Sequence, residues 1–243
     1  MIVLFTDFGL EGPYTGQVKA VLGRDAPGVA TIDLMADAPM QRPREAAYLL
    51  AAYAPWFESG AVFLCVVDPG VGTARPAEAL RIDGRWFVGP GNGLFEPLLR
   101  RAGAVESFAI PVHPGISASF HGRDLFAPVA AKLANGLVPA SIGLAPAAPF
   151  RRPDWPDDLA AIVYIDRYGN AMTGLRAAAL APDARLAVGG YEYRRVRTFG
   201  DAPEGAAFWY ENANGLAEIA VNRGRADGLP GIAVGAPVEV AAL

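Results

Sequence analysis

The chain has 243 residues, 52% of them hydrophobic and 19% charged, which excludes a disordered protein and allows one large domain or two modest ones. A formal net charge of −4, with no block rich in Lys and Arg, argues against nucleic acid as the main partner. Cys65 is the single cysteine, so neither an intrachain disulfide framework nor a cysteine-rich metal site is expected.

In chain order, "MIVLFTD" reads as a strand and "GQVKAVLGRD" as a helix. The N-terminus has no basic segment of the secretory type, and no apolar run approaches the roughly 20 residues of a membrane helix. The expectation is a soluble, cytoplasmic protein without membrane contact. "ATIDLM" is a second strand, followed by a helix through "PREAAYLLAAYAPW". "AVFLCVVD" is a third strand, and "ALRIDGRWFVGP" predicts a β-hairpin turning at Asp83-Gly84. "GLFEPLLRRAG" and "FAPVAAKLANG" carry apolar residues at helical spacing, each closed by a glycine.

This alternation predicts an N-terminal α/β domain with a largely parallel sheet over residues 1–145. The proline-rich run at 146–158 predicts a stiff, extended linker. Beyond it, short β-type runs separated by turn signals such as "VGGY" and "NANG" predict a smaller C-terminal β-barrel-like domain, residues 159–243.

Strands one, two and three run to Asp7, Asp33 and Asp68. Open α/β sheets bind ligands beyond the carboxyl ends of their strands, so Asp68 in "VVDPGVGTARP" stands where such folds keep their chemistry. The two histidines, His113 and His121, offer no HExxH spacing, and no metal site is expected. His113 is a turn residue in "PVHPG", whereas His121 lies in a polar loop before a helix. "GPGNG" at 89–93 suits either an anion cradle or a turn, and it lacks the Lys-Ser/Thr of a P-loop. "YIDRYGNAMTG" closes a strand with Asp166 and Asn170, either a hairpin turn or an amide positioned to meet an adenine edge.

Taken together and in order, "TDFG", "VVDPGVGTARP", "GPGNG", "SFHGRDLFAPVAA", "IDRYGN" and "NANGLAEIAVN" resemble the S-adenosyl-L-methionine hydroxide adenosyltransferases, relatives of the fluorinases and chlorinases. The resemblance runs from residue 2 to about residue 240. It implies a homotrimer with each site between subunits, no cofactor, and conversion of S-adenosyl-L-methionine (SAM) and water to adenosine and L-methionine. By matching motifs, Asp68, Arg75 and His121 surround the attacking water, with Arg75 orienting Asp68. Asp7 matches the aspartate that binds ribose hydroxyls, Asp166 the one that holds the methionine amino group, and Asn170 an adenine-reading asparagine. Relatives commonly carry Asn-Ser in the "NANG" region, some with a following arginine for the methionine carboxylate. This chain has Ala213 and Asn214 there, which leaves backbone groups for that task.

Two alternatives remain open. A halide-dependent adenosyltransferase would share the fold, but an anionic Asp68 repels a halide at close range. A non-catalytic adenosine or SAM sensor would bind the nucleoside and leave it intact.

Overall fold

The computed structural model describes residues 1–241 and divides into two compact units, Met1–Asp154 and a second beginning at Trp155. In the first, seven strands form one sheet: β1 (Ile2–Thr6), β2 (Thr31–Met35), β3 (Val62–Val66), β4 (Ala77–Ile82), β5 (Arg85–Pro90), β6 (Val105–Ala109) and β7 (Ala145–Pro146). Their order is β2-β1-β3-β5-β4-β6-β7. The pairings β1–β2, β1–β3 and β3–β5 are parallel, whereas β4–β5, β4–β6 and β6–β7 are antiparallel. The sheet is therefore mixed rather than largely parallel. The cause is the tight β4–β5 hairpin: Asp83 and Gly84 both take positive φ, 46° and 82°, and the chain reverses in two residues.

β1 and β3 are buried along their whole length, as apolar runs covered on both faces should be. One set of alternating residues, including Leu4, Leu64 and Val66, joins Leu22 of α1 (Tyr14–Asp25) and residues of α4 (Ala127–Ala134) in a single core cluster. On the other set, Phe63 stacks on Phe87, and Phe87 packs against Phe95 at the start of α3 (Glu96–Arg101). α2 (Pro43–Tyr53) begins with a proline, whose missing N–H costs nothing at a helix start, and buries Ala46 to Ala51.

The proline-rich stretch binds to the first unit up to Asp154. Arg151 and the Arg152 N–H bond to Glu96, which is 1% exposed and also meets Arg100. The Phe150 N–H donates to Glu78, also buried.

The second unit is β-rich. One sheet has the order β12-β13-β9-β8, built from β8 (Leu159–Ile165), β9 (Ala171–Arg176), β12 (Ala207–Glu211) and β13 (Leu216–Val221). The other joins β10 (Arg185–Val188) to β11 (Tyr191–Tyr193) and β14 (Glu239–Ala241). Trp209 is fully buried in its core, and its indole N–H donates to the Ala184 carbonyl at 3.0 Å. Among the described residues, isolated bridges at Ala161–Pro237 and Arg195–Trp209 link edges of the two sheets, while continuous strand pairing stays within each sheet.

Candidate active site

β1 is followed in the chain by β2 on one side and by β3 on the other, so the sheet has its switch point between β1 and β3. Loops leaving neighbouring parallel strands diverge there and open a crevice. Asp7 follows β1 directly and Asp68 lies two residues beyond β3, so both carboxylates stand at this crevice. Asp33, by contrast, lies inside β2 and pairs with Lys19.

Two loops complete the arrangement. Gly72, at φ 79°, lets the segment after Asp68 approach the backbone of Ala118 so closely that a Cβ would stand 2.5 Å from the Ala118 oxygen. This contact joins the loop carrying Arg75 to the loop carrying His121. The "GPGNG" segment braces the end of β3: Asn92 donates from Nδ2 to the Val67 carbonyl at 2.9 Å and accepts from the Leu94 N–H. His121 leads into a π-helical turn, Gly122–Phe126, closed by the Ala127 N–H bonding five residues back to Gly122. A Cβ on Gly122 would meet the Phe8 ring at 3.0 Å.

Asp68, Arg75 and His121 meet through this folding. Arg75 Nε donates to Asp68 Oδ1 at 2.7 Å, and Arg75 Nη2 donates to Asp68 Oδ2, a two-pronged carboxylate–guanidinium pair. The pair is largely buried, with side chains 4% exposed for Asp68 and 9% for Arg75. Nη2 also lies 3.1 Å from His121 Nδ1. A guanidinium has only donors, so Nδ1 must accept, and the ring proton of a neutral His121 sits on Nε2. His121 is buried, and burial together with the Arg75 charge holds its pKa below the ordinary histidine value.

Asp7 stands close enough to Asp68 for the two charges to repel. Its pKa is raised, chiefly by burial and in smaller part by Asp68, against hydrogen bonds from backbone N–H groups. One of those donors is the Gln41 N–H, 2.9 Å from Oδ2, on a residue held at φ 57°.

The remaining sequence-selected residues lie in the second unit around a cavity of about 700 Å³. Its wall includes Asp166, Asn170, Ala213 and Asn214 together with Tyr210, Asn212 and Glu218. The Asn170 N–H donates to Asp166 Oδ1 at 2.9 Å. Asn212 Oδ1 accepts the N–H groups of Asn214 and Leu216 at 2.9 and 3.1 Å, which fixes the turn carrying Ala213 and Asn214.

Models of the SAM hydroxide adenosyltransferase N-terminal and C-terminal domains match residues 2–143 and 160–239. The chain belongs to the SAM hydroxide adenosyltransferase family. It is 44% identical to an (R)-S-adenosyl-L-methionine hydrolase of Thermus thermophilus, over 98% of each chain. A protein of the same name from Salinispora arenicola is 37% identical, over 98% of this chain and 96% of its own. Among solved structures, an uncharacterized conserved protein of Thermotoga maritima superposes with a TM-score of 0.89 at 30% identity, covering 99% of this chain and all of that one.

For a SAM hydroxide adenosyltransferase, the sequence reading selected Ala213 and Asn214 on this wall and not Tyr210, Asn212 or Glu218, although the last two stand in the motif "NANGLAEIAVN". Tyr210 stands within the "AAFWYEN" run, which reads simply as a strand, and Asn212 closes that run and opens the "NANG" turn signal. The available signal for Glu218 is a carboxylate inside the apolar run "LAEIAV". A charged residue is almost never fully buried unless it is paired, so it marks a polar network.

Proposed function

We propose that this protein hydrolyses SAM to adenosine and L-methionine, the activity named for its relatives, by in-line attack of one water on the ribose C5′. The observation that carries this reading is the contact of Asp68, Arg75 and His121 through one guanidinium at the switch point of the sheet. As the water oxygen bonds to C5′, the C5′–S bond breaks and its electron pair neutralises the sulfonium. The departing thioether therefore needs no acid, and the only proton to place is the water's. Both Asp68 oxygens already face Arg75 but keep further lone pairs, so the carboxylate receives that proton and passes it to solvent. His121, with its proton on Nε2, donates to the water oxygen and aims a lone pair at C5′. Such a base contributes about 10²–10⁴-fold, and alignment of the reactants supplies much of the remainder.

Asp7 holds the ribose hydroxyls, Asp166 the methionine amino group and Asn170 the adenine. Backbone groups at Ala213 and Asn214 take the methionine carboxylate. No cofactor takes part. The working form is a cytoplasmic homotrimer, in which the trio of one copy serves a substrate held by the second unit of a neighbouring copy. Asp68 disfavours a halide nucleophile, since two anions at contact distance repel.

Incubation of the purified protein with SAM, followed by chromatography, tests the proposal. Adenosine and methionine should form in equal amounts, and product no higher than in an Asp68→Ala control would overturn it. Sizing by light scattering tests the trimer.

A further inference from the structure

Glu218 is 2% exposed on β13 and forms part of the wall of the second unit's cavity. It accepts from the Tyr210 hydroxyl at 2.6 Å, from Asn212 Nδ2 at 2.8 Å and from the Asn170 side chain. All three partners are uncharged. A carboxylate satisfied in this way dictates the orientation of the amides around it, because each must turn its NH₂ inward and its oxygen away. For Asn212 the consequence is visible: its oxygen accepts two backbone N–H groups in the turn.

Asn170 is held from both sides. Its Nδ2 points to Asp166 Oδ2 at 3.4 Å, a long contact, and its side chain bonds to Glu218. The amide oxygen would be repelled by either carboxylate, so the nitrogen faces them. Among the described residues no hydrogen bond reaches Asn170 Oδ1, yet this atom is not one of the sealed, unpartnered polar atoms of the interior. Asn170 lines the cavity, so an oxygen turned away from the two carboxylates is left for a ligand there.

We propose that Glu218 is a specificity-determining positioning residue: by fixing the Asn170 amide nitrogen, it leaves an acceptor in the cavity and selects a 6-aminopurine nucleoside over a 6-oxopurine one. The inference rests on the reading of this cavity as the place of the purine base. The exocyclic amine of adenine donates to Asn170 Oδ1. A 6-oxo group presents a second acceptor to it, and an unmatched polar pair out of water is heavily penalised.

Calorimetry of the whole protein with adenosine, purine riboside and inosine provides the test, with SAM kinetics alongside. Wild type should bind adenosine at least about 100-fold more tightly than inosine, with purine riboside between them. Glu218→Gln brings its own NH₂ into the cluster and frees the Asn170 amide to turn over. The adenosine-to-inosine ratio should fall to within about 10-fold, and KM for SAM should rise more than kcat falls. An unchanged ratio in a folded Glu218→Gln protein overturns the inference. So does equal binding of the three nucleosides by wild type, a result that needs no variant. Wild type that forms adenosine from SAM but shows a flat ratio removes this inference alone. Wild type that binds no adenosine removes it together with the proposed function.

Discussion

The carboxylate of Asp68 and that of Glu218 are both withdrawn from water, and the protein compensates them in opposite ways. Asp68 faces a full positive charge delivered through two prongs of one guanidinium. Glu218 faces a phenol and two amides, none of them charged, and its pKa is raised, chiefly by burial. The first arrangement holds a charge in place. The second uses a carboxylate to orient its neighbours, and it is the softer of the two because a single proton on it would turn one of its acceptor positions into a donor.

The same contrast recurs inside the first unit, where two buried glutamates grip the proline-rich stretch. Glu96 meets Arg151, Arg100 and a backbone N–H, and these donors outweigh the upward push of burial, so its pKa is lowered. Glu78 has one backbone donor, and burial pushes its pKa up to about 7. A cation nearby decides the sign of the shift.

The comparison breaks most sharply at Asp68. Asp68→Asn keeps the shape and removes the anion, and adenosine formation should fall by about 10²–10⁴-fold at saturating SAM, read by chromatography. Arg75→Lys keeps the charge and loses the fork that serves both Asp68 and His121. A decline in kcat of about 10–100-fold is expected, with nucleoside binding in the second unit unchanged by calorimetry.

Glu78→Gln sharpens the other side of the contrast. A folded pKa near 7 against the usual 4.5 means that the folded chain holds this proton more tightly than the unfolded one. That advantage is complete below about pH 4.5 and disappears as pH rises through 7. The glutamine variant still offers an oxygen to the Phe150 N–H and escapes the penalty of the buried charge. In denaturant melts it should exceed wild type at pH 8 by at most roughly 3 kcal/mol, with the gap closing towards pH 5.

The smallest effect concerns His121. Its depressed pKa means that the unfolded chain gains the proton first, so His121 contributes stability above about 6.5 that is lost as pH falls towards its folded value. Adenosine formation should stay level from pH 7 to just below 6.5 where an ordinary histidine would already titrate. Proton NMR of the two imidazoles, with His113→Gln to assign them, reads the titration directly.

Much of the first unit was legible in the sequence because its strands are continuous apolar runs and its helices carry a regular apolar period. The mixed sheet followed from a hairpin that was itself visible at Asp83-Gly84. Its consequence for strand direction depends on where β5 pairs, and only the fold decides that. Asp68, Arg75 and His121 stood out by motif. Their contact depends on Gly72 admitting the Ala118 backbone, a closeness that local pattern does not encode. Tyr210 and Glu218 escaped notice because period-two alternation assigns a strand without saying which polar residue faces inward, and Asn212 because "NANG" reads as a turn without showing what its first side chain meets.

The π-helical turn at Gly122–Phe126 fits one more residue per turn than α4, which it precedes. Shortening this segment by a single residue would let ordinary helix run through it while the apolar stripe of α4 stayed seated. Everything ahead of the deletion would then swing by about 100° around the axis. The imidazole would lose its partner on Arg75, so the wide turn serves as the rotational setting of His121.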